Sequence, residues 1–187
     1  MAMKKVYVLL ADGFETIEAL TPVDIMHRCG IDVCSVAIGN SKTVKSSHKV
    51  TVDADLLLDE ADVTDGDAII LPGGFPGYVN LAESVEVGNL VRYYYENGRI
   101  VAAICGGPTV LKRYGIAQGK KITCHSSVQA EMAGDYEYVG GNICQDGNLI
   151  TGKGAGLSLE FAIAIAKRLA NDATIAKLFN GLQIQPM

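Results

Sequence analysis

Residues 100–109 read IVAAICGGPT. Ile100 to Ile104 is an unbroken apolar run of strand length, and the two glycines behind Cys105 permit a sharp backbone reversal. Pro108 suits the first position of a helix, which the pattern carries to Tyr114. Strand, cysteine, two glycines and helix in that order have the mechanics of a nucleophile elbow, so Cys105 is a candidate nucleophile. The thiol is expected at a helix N-terminus, where unpaired N–H groups and the helix dipole favour thiolate over thiol. A small buried residue filling a tight corner is the competing reading.

Outward from this stretch the same strand signature recurs at residues 5–10, 32–38, 67–71, 121–124 and 149–151, each short and mostly apolar, as in strands buried on both faces. Helical periodicity separates several of them, at residues 16–28, 85–97, 108–114 and 157–170, with a shorter helix at 173–179. Such alternation predicts an α/β fold, a mostly parallel central sheet with helices on both faces. Two polar segments, 41–55 and 137–146, are expected to add a strand or hairpin arm each. No repeat, linker or low-complexity tract interrupts the chain, and its 187 residues, 49% of them hydrophobic, are expected to form one domain.

Charge and composition narrow the partners. The formal net charge is −5 and the 16 Lys and Arg residues are scattered, which argues against nucleic acid or an acidic membrane surface and for small or proteinaceous ligands. No apolar run approaches the roughly 18 residues of a membrane span. Residues 1–10 lead into a strand without the blocks of a signal peptide, so a cytoplasmic setting is expected. The five cysteines are an odd number with no CxxC pair, so free thiols are expected rather than a disulfide framework.

In a sheet of this kind ligands bind beyond the carboxyl ends of the strands, and the residues found there are polar and glycine-rich. They are Asp12-Gly13, Pro72-Gly73-Gly74, Cys105-Gly106-Gly107, His125 and Gly152-Lys153-Gly154-Ala155-Gly156. The N–H of Gly74, paired with that of Gly106, could form an oxyanion hole for a carbonyl attacked by Cys105; a plain turn is the alternative for Gly74. Glu18 lies one turn into the first helix, on the side that should overhang the strand ends. Solvated, it would be ordinary; half-buried beside the thiol, its proton affinity would rise and it could donate a hydrogen bond or shuttle a proton. Glu15, three residues after Asp12, is read as closing a capping box. His125 could be a second acid or base, orient a ligand, or be structural. His27 and His48 read as surface groups. No metal is expected, since the adjacent pair Cys124-His125 would point opposite ways from a strand.

Glu18, the LPGG turn, the AAICGGP elbow, His125 and GKGAGLSLEFA together resemble the ThiJ/PfpI family over nearly the whole chain, closest to its parkinsonism-associated deglycase branch. The resemblance implies a flavodoxin-like three-layer sandwich, usually a homodimer. It also implies Cys105 as nucleophile, Glu18 as its protonated carboxyl partner, Gly74 and Gly106 as backbone donors and His125 as the pocket histidine. The activity implied is glyoxalase- or deglycase-like, cofactor-free, on small aldehydes or dicarbonyls or their adducts. A cysteine-based redox sensor or stress-protective chaperone is the alternative. The family's protease-like branch has histidine directly after the cysteine, where this chain has Gly106, which speaks against a peptidase; the deglycase branch usually has alanine there. Peripheral cysteines of the animal relatives fall at Ser46 and Asp53, and a subunit-interface arginine at His48, so regulation through those side chains does not transfer.

Overall fold

A computed structural model describes residues 3–185; Met1, Ala2, Pro186 and Met187, the ends of the expected single domain, lie outside the described residues. The chain opens with strand β1 (Lys5–Leu10), helix α1 (Thr16–Arg28) and β2 (Asp32–Ala37). A hairpin of β3 (Thr43–Lys45) and β4 (Thr51–Asp53) follows, then the short β5 (Leu56–Leu57) and β6 (Ala68–Leu71). Helices α2 (Gly77–Glu83) and α3 (Val85–Glu96) lead to β7 (Ile100–Ile104) and α4 (Pro108–Arg113). Next come β8 (Lys121–Ile122), α5 (Ser126–Met132), β9 (Glu137–Tyr138), β10 (Ile143–Asp146), β11 (Leu149–Gly152), α6 (Ser158–Leu169) and α7 (Asp172–Leu182).

Seven strands form the central sheet in the order β10-β11-β7-β6-β1-β2-β5, parallel throughout except at the β10 edge. Alternate residues of β1 divide the core. Val6, Val8 and Leu10 pack with α1, α6 and α7 on one face, and Tyr7 and Leu9 pack with α2, α3, α4 and α5 on the other. Both faces are therefore covered, as the apolar strands require. Because β1 lies between β2 and β6, the chain leaves it toward one side and later returns on the other. The carboxyl ends of β1 and β6 thus flank the point where such sheets open a crevice.

The expected strand 121–124 is a correction. Only Lys121–Ile122 is extended, and it pairs with β9 in a separate two-stranded sheet. Segment 41–55 does form a hairpin, but outside the central sheet, while 137–146 splits into β9 and the antiparallel edge strand β10. Helices α2 and α5 were not legible in the periodicity.

Candidate active site

Cys105 stands at the end of β7 with φ +62°, a conformation seldom adopted by a side chain with a Cβ. The strand's last hydrogen bonds hold it there: its N–H donates to Gly152 O at 2.9 Å and its carbonyl accepts from His125 N at 3.0 Å. The elbow needs its glycines for space. A Cβ on Gly107 would stand 2.3 Å from Leu71 O, and one on Gly106 would stand 2.4 Å from the Tyr78 ring. Tyr78, unremarked in the sequence, thus occupies the room that a histidine or alanine after the cysteine would need.

The sulfur does not rest on the helix terminus expected for it. Helix α4 begins at Pro108, and its first free N–H groups, on Thr109 and Val110, turn back to the carbonyls of Gly106 and Gly107. The donors to the Cys105 side chain are instead the N–H groups of Gly106 and, across from β6, Gly74. Gly74 can come this close because of its φ of +89° and its lack of a side chain; a Cβ there would lie 2.2 Å from Glu15 N.

Glu18 is fully buried, which rules out the solvated reading. Its Oε2 accepts from Gly73 N at 2.8 Å, whereas its Oε1 is buried with no hydrogen-bond partner among the described residues. Gly73 joins the two groups: a Cβ on it would stand 2.7 Å from both the Cys105 Cβ and Glu18 Oε2. The Cys105 Cβ and the Gly106 backbone N, 2.9 Å from the same point, cannot swing aside, and Glu18 Oε2 could do so only by giving up its hydrogen bond to Gly73 N. Gly73→Ala is therefore expected to cost about 2–4 kcal/mol, read as a lowered urea midpoint, and to disrupt both groups; an unchanged midpoint would show the site to be looser than this geometry.

Burial is the main influence on both proton affinities. It pushes Glu18 up to about 7, against the Gly73 hydrogen bond and with the charge of Glu15 adding to the rise. Burial and the Glu18 carboxylate push the Cys105 thiol up to about 12, against the two glycine N–H groups. The expected free thiolate is thus corrected: the environment of Cys105 alone does not ionise it. Glu18 and Cys105 titrate as a pair, losing one proton near neutrality and the second only in strong alkali. Over the range between, one proton and one negative charge are shared. Two N–H donors reach the sulfur and one reaches the carboxylate, whose other oxygen is bare and whose neighbour Glu15 is acidic. Those contacts give hydrogen-bond support to the minor form with the proton on Glu18 Oε1 and the charge on sulfur, whereas the order of the two proton affinities leaves the charge on the carboxylate in the resting pair.

His125 is exposed and caps α5. Its Nδ1 accepts from Ser127 N at 3.2 Å and lies 2.8 Å from Ser127 Oγ, and its Cδ2 edge runs along Gly154. With Nδ1 accepting, the ring's N–H is on Nε2. Glu15 is the N-cap of α1 rather than the partner of an Asp12 cap: its Oε2 accepts from Glu18 N at 2.8 Å, while Asp12 Oδ1 accepts from Lys45 N at 2.8 Å. His27 and His48 are exposed, as expected. All five cysteines are free thiols, and no three His, Cys, Asp or Glu side chains among the described residues are grouped to hold a metal ion. No described helix is long and apolar enough to cross a membrane.

A sequence profile described as the DJ-1/PfpI family matches residues 4–168. The chain is 38% identical over 181 residues to the Parkinson disease protein 7 homologue of Danio rerio, covering 95% of this chain and 96% of that one. It is 35% identical to a glutathione-independent glyoxalase of Caenorhabditis elegans, with 90% of each covered. Identity to a deglycase of Thermococcus kodakarensis is 32%, covering 81% of this chain and 91% of the other. The crystal structure of Drosophila melanogaster DJ-1beta superposes with a TM-score of 0.95 at 35% identity, covering 98% of this chain and all of that one.

Proposed function

The chain belongs to the DJ-1/PfpI family, in the branch that holds Parkinson disease protein 7, and on that premise we propose that it is a cofactor-independent cysteine enzyme acting on small reactive dicarbonyls or their early adducts. Relatives named glyoxalase and deglycase support the reaction class. The observation that carries the reading is the convergence on one sulfur of two backbone N–H groups and a buried carboxyl with an unpartnered oxygen.

With methylglyoxal, the Cys105 sulfur adds to the aldehyde carbon. The C=O π pair moves to oxygen, the N–H groups of Gly74 and Gly106 stabilise that charge, and the Glu18 proton neutralises it to a hemithioacetal. Glu18, now ionised, takes the hydrogen from the former aldehyde carbon as a proton and delivers it to the neighbouring ketone carbon, while the hydroxyl proton passes from the former aldehyde oxygen to the former ketone oxygen, leaving a thioester of lactate on Cys105. Water cleaves the thioester, releasing lactate and restoring the thiol, so the balance is one dicarbonyl and one water to one hydroxy acid. His125, through Nε2, is assigned to the pocket wall where substrate oxygens sit. The working unit is taken to be a cytoplasmic homodimer.

The direct test is lactate formed from methylglyoxal by the purified chain in a chelating buffer, without glutathione. Many equivalents per subunit are expected; a single equivalent of aldehyde consumed, with no lactate, would refute turnover. The same half-buried sulfur with its N–H donors also suits a redox sensor in which Cys105 oxidises to sulfinate beside Glu18. That reading predicts a clean two-oxygen mass increase on Cys105 under mild peroxide, with no lactate. A peptidase reading has no support in this geometry, because Gly106 carries no base and Tyr78 fills the space for one.

A further inference from the structure

Glu15 takes no part in the reaction above, yet it meets the site from three directions. Its Oε2 accepts from Glu18 N at 2.8 Å, and its own N–H donates at 2.9 Å to the carbonyl of Gly73, whose N–H holds the Glu18 carboxyl. Its Oε1 faces His48 Nδ1 across 3.7 Å, with the Glu15 side chain 14% exposed and His48 71% exposed. His48 is brought there by the β3-β4 hairpin, which is stitched to the loop before α1. Gly13 N donates to Lys45 O at 2.7 Å, Ser47 N to Phe14 O at 2.9 Å, and Thr16 Oγ1 to the buried Ser46 Oγ at 2.9 Å.

We propose that Glu15 is a positioning residue that keeps the Glu18 carboxyl protonated and therefore able to deliver its proton, and that His48 is the counter-charge setting how strongly Glu15 does so. The inference rests on the reading in which Glu18 moves a proton. An unshielded Glu15 carboxylate opposes a second negative charge on Glu18 one helical turn away; a positive charge at position 48, across 3.7 Å from Glu15 Oε1, offsets it and lets Glu18 ionise more easily. The other charged groups on the loop before α1 and on the hairpin are Asp12, Lys45, Lys49 and Asp53, all exposed, and Cys105 faces Glu18 from the elbow.

Glu15→Gln separates charge from capping, since the amide oxygen can still accept from Glu18 N. The measurement is the pH dependence of Cys105 carbamidomethylation by iodoacetamide, followed by mass spectrometry at low salt, with lactate formation run alongside. For Glu15→Gln the labelling midpoint is expected to fall by roughly one pH unit. His48→Arg, a permanent cation, should move it the same way, by a few tenths of a unit. A midpoint unmoved in Glu15→Gln, whatever its thermal stability, would reduce Glu15 to a helix cap and overturn the proposal. Shifted midpoints in a protein whose wild type makes no lactate would sink the enzymatic reading and leave the coupling standing.

Discussion

Cys105→Ser is expected to lower lactate formation from methylglyoxal by about a thousandfold or more, to the level of buffer, while the urea midpoint stays within about 1 kcal/mol of wild type. Oxygen and sulfur differ little in volume, and the position is half-buried rather than packed on all sides, so the fold loses little. The chemistry loses much more. A serine hydroxyl beside a carboxyl of proton affinity near 7 has no base able to ionise it, whereas the thiol can give its proton to Glu18. The two glycine N–H groups remain aimed at the side-chain atom, so the comparison isolates the nucleophile. Residual turnover above about a tenth of wild type would mean that the thiol is not the attacking group, and a chaperone or binding role would then account for the chain better.

The parts of this site legible in the sequence were those that follow from chain direction. An apolar run ending in CGGP turns at a strand end because glycine permits it, and strands alternating with helices bring such ends to one side of a sheet. Cys105, Gly74 and Gly106 were located this way. The rise in the proton affinity of Glu18 was legible only on condition that the side chain is buried, and that of Cys105 was not legible, because both depend on desolvation by groups far apart in sequence. The elbow suggested a thiolate, yet burial together with Glu18 opposes ionisation of Cys105 taken alone, and only the pair can carry the charge. Glu15 was misread for a related reason. Its spacing from Asp12 fits a capping box, but the hairpin claims Asp12 through Lys45 N and the helix starts later, with Glu15 itself as cap. Periodicity likewise merged α2 with loop, since seven residues opening on glycine give too little amphipathic signal, and it could not say that Lys121–Ile122 pairs outside the main sheet. Tyr78 gave no signal at all, because its role is to fill space over a glycine 28 residues away.

Glu18→Gln is expected to separate stability from activity. In the folded protein burial pushes Glu18 up from 4.5 to about 7, so between those values the native state keeps a proton that the unfolded chain has released. Stability contributed by the neutral carboxyl is then complete below about 4.5, declines as pH rises, and is gone above about 7. At about 1.4 kcal/mol per unit the window amounts to roughly 3 kcal/mol. Glutamine cannot ionise, so the variant should lack this slope. Its amide oxygen can accept from Gly73 N, but one amide hydrogen has no acceptor beyond the sulfur, which costs about 1–2 kcal/mol. The net expectation is a variant at or below wild-type stability at pH 5 and about 1–2 kcal/mol above it at pH 8, from urea midpoints at the two values. Lactate formation should fall at least about a hundredfold, because the amide can neither release nor return a proton. Wild-type stability that stays level from pH 5 to pH 8 would show that Glu18 is ionised throughout, and the proton transfers assigned to it would have no source.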